Sequence, residues 1–178
     1  MSRLSAAALA ISILLLAGCS AAGSVPTSAT QGRPSYGVFV GSLDLKGEIT
    51  VKGTFSDTIT SRGETCDQYV RGLAPATTLW VVPSPTGKDI VGGHIVTLTA
   101  GVPSDKASTG YHGPGTYSQA SAIVGDVIVD NTSFVDGNGA TATITVADDG
   151  SGSLSFTGMQ DTSTYVLESG TEHWKCQG

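Results

Sequence analysis

Few residues in this chain are spaced for chemistry. The densest set is Tyr111-His112-Gly113-Pro114-Gly115-Thr116-Tyr117, with two phenol rings and an imidazole within seven residues. Such rings could stack on a sugar or an apolar group while His112 supplies a hydrogen bond. The competing structural reading is a turn that opens a strand at Gly115 and sends Tyr117 into a core. His94, His112 and His173 lie far apart and form no His-x-x-x-His pair, so no metal site is expected. Asp136-Gly137-Asn138-Gly139 and Asp148-Asp149-Gly150 begin like calcium loops but lack the later acids, and read as turns. Gly150-Ser151-Gly152 is not a nucleophile elbow, and no Ser-x-x-Lys is present. Paired carboxylates for glycoside hydrolysis are a spatial matter. Asp126, Asp130, Asp136, Asp148 and Asp149 all read as strand-end or turn acids. The expectation is no catalytic residue, no metal and no cofactor.

Cysteine is the scarce reactive residue, with three in 178. Cys19 ends a segment in which Arg3 precedes an apolar run from Ala6 to Leu16. A run of about 11 residues is too short to cross a ~30 Å hydrocarbon core as a helix. Its charged start and small-residue end have the form of a signal peptide. Leu16-Ala17-Gly18-Cys19 resembles the lipobox of bacterial lipoproteins. That resemblance implies cleavage before Cys19, a diacylglycerol thioether on its sulfur and a further acyl chain on the new N-terminus. Two or more chains anchor stably where one does not. The implied localisation is the cell membrane, lipid-anchored on the extracytoplasmic side (cell surface or periplasm), with the membrane as partner through Cys19. Cys66 and Cys176 then remain. In an exported protein they have one possible pairing, a disulfide; the alternative is two buried free thiols. Neither belongs to a Cys-x-x-Cys, so redox chemistry is not expected.

The elements around these residues follow from composition and period. Residues 20–35 hold Ser, Ala, Thr, Gly and Pro with almost no large apolar side chain, which reads as a flexible tether. The expected map is a signal peptide over 1–18, a lipidated tether over 19–35 and a single β-domain over 36–178. Once Arg3 leaves, 8 basic residues face 15 acidic ones, which argues against a nucleic-acid partner. Charged residues make up 13% of the chain, about half the usual ~25%, and glycine numbers 24. Such a chain gains solubility from hydroxyls and turns, which suits an exported β-protein.

Alternation by two recurs along the domain. Ile49, Val51 and Phe55 alternate with Thr50, Lys52, Thr54 and Ser56. Leu79–Val82 is a short apolar strand stopped by Pro83 and Pro85. Further strands are expected over 94–100 and 123–129, with His94 on the face of Val96 and Leu98. A hairpin is expected from Ala142 through Asp149-Gly150 to Phe156, followed by Tyr165, Leu167 and a last strand through Trp174 and Cys176. Those last two share a face, so the indole is expected beside the disulfide, with His173 facing solvent. One short helix fits between Gly63 and Gly72. The expected fold is all-β: an antiparallel sandwich or partly closed barrel of roughly 7–10 strands with at most one short helix.

Gly-Pro-Gly-Thr-Tyr in mid-chain, Asp-Gly-Ser-Gly-Ser-Leu in the late hairpin and the closing Gly-Thr-Glu-His-Trp-Lys-Cys resemble small bacterial cell-envelope lipoproteins of unassigned function. The layout of signal, Ser/Thr-rich tether and one disulfide-bonded β-domain is similar to that of mycobacterial surface-antigen lipoproteins, and the lysine-poor composition resembles actinobacterial chains. These resemblances carry no activity. The expectation is a non-catalytic envelope accessory or binding module with an envelope protein or glycan as its partner. The alternatives are a small-ligand or glycan binder using Tyr111, His112 and Tyr117, and a hydrolase whose site is not visible in sequence.

Overall fold

The structure, a computed structural model, describes residues 37–58, 65–72, 79–104, 110–118 and 121–178; the side chains of Thr58, Asn138 and Leu167 are not among them. All fall within one compact unit. The lipobox Leu16–Cys19, the expected signal peptide and the expected tether lie outside the described residues, as does Tyr36.

The described chain is all-β and antiparallel, with ten strands and one short helix. The strands are β1 (Val38–Gly47), β2 (Val51–Thr58), β3 (Leu79–Val81), β4 (Thr86–Val91), β5 (His94–Pro103), β6 (Gly115–Ser118), β7 (Ile123–Val129), β8 (Thr132–Val146), β9 (Gly152–Asp161) and β10 (Leu167–Gln177); α1 spans Cys66–Val70. They form a single sheet in the order β2-β1-β10-β9-β8-β7-β5-β3. Two long strands serve two neighbours on one edge. β8 pairs β7 with its first residues and β6 with its last, and β5 pairs β4 and β3 in the same way. The sheet does not close by hydrogen bonds, yet its ends approach each other. A methyl at Gly53 of β2 would lie 2.5 Å from the Gly92 nitrogen in the turn after β4. The result is a sandwich-like fold made from one curled sheet.

Alternation decides which side chains face the core. β1 turns Phe39, Leu43 and Leu45 inward, β8 turns Ile144 and Val146, and β9 turns Leu154 and Phe156; all are buried. β1 escapes a reading by hydropathy because glycine at inward position 41 interrupts its apolar series. β4 escapes it because its sequence, TGKDIV, is largely polar and its pairing is to β5 alone in this sheet. Tyr165 differs from expectation in the other direction. It sits exposed in the turn before β10 with φ 59°, not in a strand. Asp126 and Asp136 likewise lie within β7 and β8, not at a strand end or turn, with their side chains exposed.

α1 is too short to be stable by propagation, so its ends and its packing must hold it. Thr65 and Gln68 form a capping box: the Thr65 hydroxyl accepts from the Gln68 amide at 3.3 Å, and the Gln68 side chain accepts from the Thr65 amide at 3.0 Å. Tyr69 and Val70 are buried against the sheet. Cys66 is joined by a disulfide to Cys176 of β10, across a separation of 110 residues. Trp174, on the same inward face, is buried, and its indole donates to the Gly150 carbonyl at 3.0 Å. Gly150 also lies against Cys176, so the β8–β9 turn, the indole and the disulfide form one packed unit. A terminal strand frays unless tied; β10 is tied here by its ladders, its indole and its sulfur.

Candidate functional site

Tyr111, His112 and Tyr117 come together, but both hydroxyls and the His112 Nδ1 are engaged within the protein. The Tyr111 hydroxyl donates to the Val70 carbonyl of α1 at 2.6 Å. The Tyr117 hydroxyl donates to the Gly113 carbonyl and accepts from the His112 amide at 3.2 Å. His112 is exposed, and its Nδ1 lies 2.9 Å from the Gly110 carbonyl. The rings continue into a ladder. Tyr111 stacks on Trp80 with centroids 4.2 Å apart and an interplanar angle of 4°, and Trp80 meets Tyr69, which meets Phe39 edge-on. Burial pushes the Tyr111 hydroxyl well above its ordinary range, with Tyr117 adding to the effect. This loop closes one end of the core over α1, and Tyr117 is buried as the structural reading has it.

The histidines stay apart. His94, half-exposed at the start of β5, contacts Asp130 at 2.6 Å, and Asp130 also accepts from the Ile95 amide at 2.9 Å. These bonds, the His94 one first, lower the Asp130 pKa and pin β5 to the β7–β8 turn. Asp149 accepts from the hydroxyl and amide of Ser151, which makes 148–151 a turn held by its own side chain. Among the described residues no group of three His, Cys, Asp or Glu could hold a metal ion.

Two acids that the sequence reading passed over are the most unusual groups in the core. Glu172 is fully buried, and its Oε1 accepts from the Ser84 hydroxyl at 3.1 Å while its Oε2 has no protein partner. Burial raises its pKa well above the carboxylate range, opposed by the Ser84 bond and reinforced by the charge of Asp57. Glu168 is buried two turns of the pleat away and accepts from the Ile49 amide at 3.2 Å. Its pKa is raised by burial and held back by backbone amides. The signal was available: counting back by twos from Cys176 and Trp174 lands on Glu172, Gly170 and Glu168, all on the inward face. A neutral carboxyl among apolar side chains can donate or accept a hydrogen bond, and it makes the core sensitive to pH.

Three solvent-facing concavities among the described residues lie elsewhere. One, of about 510 Å³, opens where β8 bulges away from β9 between Asp136 and Thr141, with Met159 and Ile123 in its wall. A second depression of about 510 Å³ and a third of about 350 Å³ lie on the outward face of β2, β1, β10 and β9 and share Ser42, Thr54 and His173. None of the three is lined by Tyr111, His112 or Tyr117.

No family model matches the chain, and no curated protein or solved structure is detectably similar to it.

The site must therefore be read from its own geometry. The shared groove is walled by short hydroxyl side chains with His173 standing in it and a lysine at each end, Lys175 and Lys52. Both central strands, β1 and β10, are paired on either side, so their backbone groups are committed to the sheet. What the groove offers a ligand is hydroxyls, one imidazole, two ammonium groups and the Asp44 carboxylate. That set suits binding through hydrogen bonds and charge.

Proposed function

We propose that this protein is a lipid-anchored, non-catalytic binding module of a bacterial cell envelope, held by acyl chains on Cys19 and facing the extracytoplasmic side. The observation that carries this reading is the Cys66–Cys176 disulfide. Such a bond forms and persists in oxidising compartments and is rare in a reducing cytoplasm. It leaves Cys19 as the one cysteine outside the pair, at the position where the Leu16-Ala17-Gly18-Cys19 motif would lipidate it. Among the described residues no helix is long and apolar enough to cross a membrane. The Ser/Thr-rich stretch over 20–35 would give the domain reach above the surface.

Fractionation of cells producing the wild type and Cys19→Ala tests the proposal. The wild type should pellet with membranes and incorporate labelled palmitate, and the variant should do neither. A variant that stays membrane-bound beside a wild type that takes up no label would sink the anchoring.

A further inference from the structure

We propose that the outward groove across β2, β1, β10 and β9 binds an acidic glycan chain, one bearing carboxylates along a hydroxylated backbone. The proposal rests on the reading of the protein as an envelope binding module and adds the site and the ligand class. Strand register aligns the outward side chains in rows. Thr54 pairs with Ser42, Ser42 with His173 and His173 with Ser153; the next row runs Lys52, Asp44, Thr171, Ser155. Because nearly all of these side chains are short, the face sinks into the two depressions of about 510 and 350 Å³ that meet at Ser42, Thr54 and His173. The combined trough is of the size that ligand sites occupy.

Charge is distributed unevenly about this trough. The whole chain carries a net charge of −6. Yet of the five described Lys and Arg residues, Lys46, Lys52, Arg71, Lys88 and Lys175, two, Lys52 and Lys175, line the trough. Asp44 is the one acid lining the trough, and it contacts Lys52 at 3.6 Å, a pair too exposed to hold that lysine firmly. Lys175 pairs in register with Val40 and Lys52 with Asp44. Four residues along β1 and two strands across place the two lysines about 16 Å apart on the diagonal. A ligand that satisfies both must be extended, anionic at intervals and able to exchange hydrogen bonds with hydroxyls between the charges. An acidic glycan has that pattern. A peptide adding as a strand is disfavoured because both central strands have used their backbone groups. A lipid surface finds one exposed apolar side chain in the lining, Val40.

Titration calorimetry on the full chain solubilised in detergent tests the site. The probes are a hexamer of galacturonate, the neutral maltohexaose, and polyphosphate. The galacturonate hexamer should bind at low salt, weaken as salt rises, and bind at least tenfold more tightly than maltohexaose or polyphosphate. Ser42→Tyr, which fills the trough, should weaken it at least tenfold with an unchanged melting temperature. Lys52→Gln combined with Lys175→Gln should weaken it at least fivefold and flatten the salt dependence, whereas Lys88→Gln on β4 should leave it unchanged. No binding of the hexamer, equal binding of polyphosphate, or an unaffected Ser42→Tyr would overturn the assignment. Membrane attachment plays no part in this assay, so failure here leaves the Cys19 proposal standing, and failure there leaves this one.

Discussion

Glu172→Gln should make the protein more stable at neutral and alkaline pH, and the gain should grow with pH. In the unfolded chain a glutamate releases its proton near pH 4.3. In the folded protein burial among apolar side chains, helped by the charge of Asp57, keeps the proton on well above that. Between the two values the unfolded state binds fewer protons than the folded one, so stability falls as pH rises. One proton difference gives a slope of about 1.4 kcal/mol per pH unit, which continues until pH passes the folded value. Glutamine is nearly isosteric, cannot ionise and can still accept from the Ser84 hydroxyl. The two proteins should therefore match below pH 4 and diverge above it, with the variant favoured by about 1.4 kcal/mol for each unit until pH passes the folded value of Glu172 and by a constant amount beyond. Glu168 is shifted in the same direction but is present in both, so the difference isolates Glu172. Urea denaturation at unit steps from pH 4 to 9 measures it. Parallel profiles, or a wild type more stable than the variant at pH 8, would refute the placement of Glu172 as a buried neutral acid.

Replacing Cys66 and Cys176 together by serine should cost about 4.7 kcal/mol by the chain-entropy treatment of a loop this long, read as a lowered denaturation midpoint. Gly152→Ala should destabilise by about 1–3 kcal/mol, because a methyl there overlaps the Trp174 indole and the Thr145 carbonyl; an unchanged melting curve would contradict that packing. Asp161→Asn should act at the acid end. The Ser163 hydroxyl, then the Thr164 and Ser163 amides, hold the Asp161 pKa down to about 2, so its stabilising effect is present above pH 3.8 and is lost as pH falls toward 2. The variant should lose that acid-side dependence in the same urea series.

What the sequence disclosed and what it hid have physical reasons. The hairpin from Ala142 to Phe156 was legible because alternation and an Asp-Gly turn agree there, and β8 and β9 pair as that pattern requires. The short helix was legible only as a window between Gly63 and Gly72; the Thr65–Gln68 capping box that fixes it was not read from the sequence. β1 was hidden by Gly41, and β4 by its polar composition. The role of Tyr111 was ambiguous because a half-buried aromatic and a ligand platform have the same residue types; the contact with Trp80, 31 positions away, decides how its ring packs. The outward groove was hidden more deeply. Ser42, Thr54, Ser153 and His173 are unremarkable singly, and only the register of four strands sets them in one row. Glu172 was reachable from the period of β10, but Ser84 was not, since it reaches that acid from a connector 88 residues away.

The most direct test of the account is the mass of the N-terminal peptide of the protein isolated from its own envelope. The account predicts a chain beginning at Cys19, with a diacylglyceryl group on its sulfur and an acyl group on its nitrogen. A chain that retains residues 1–18, or that carries an unmodified thiol at Cys19, would contradict it.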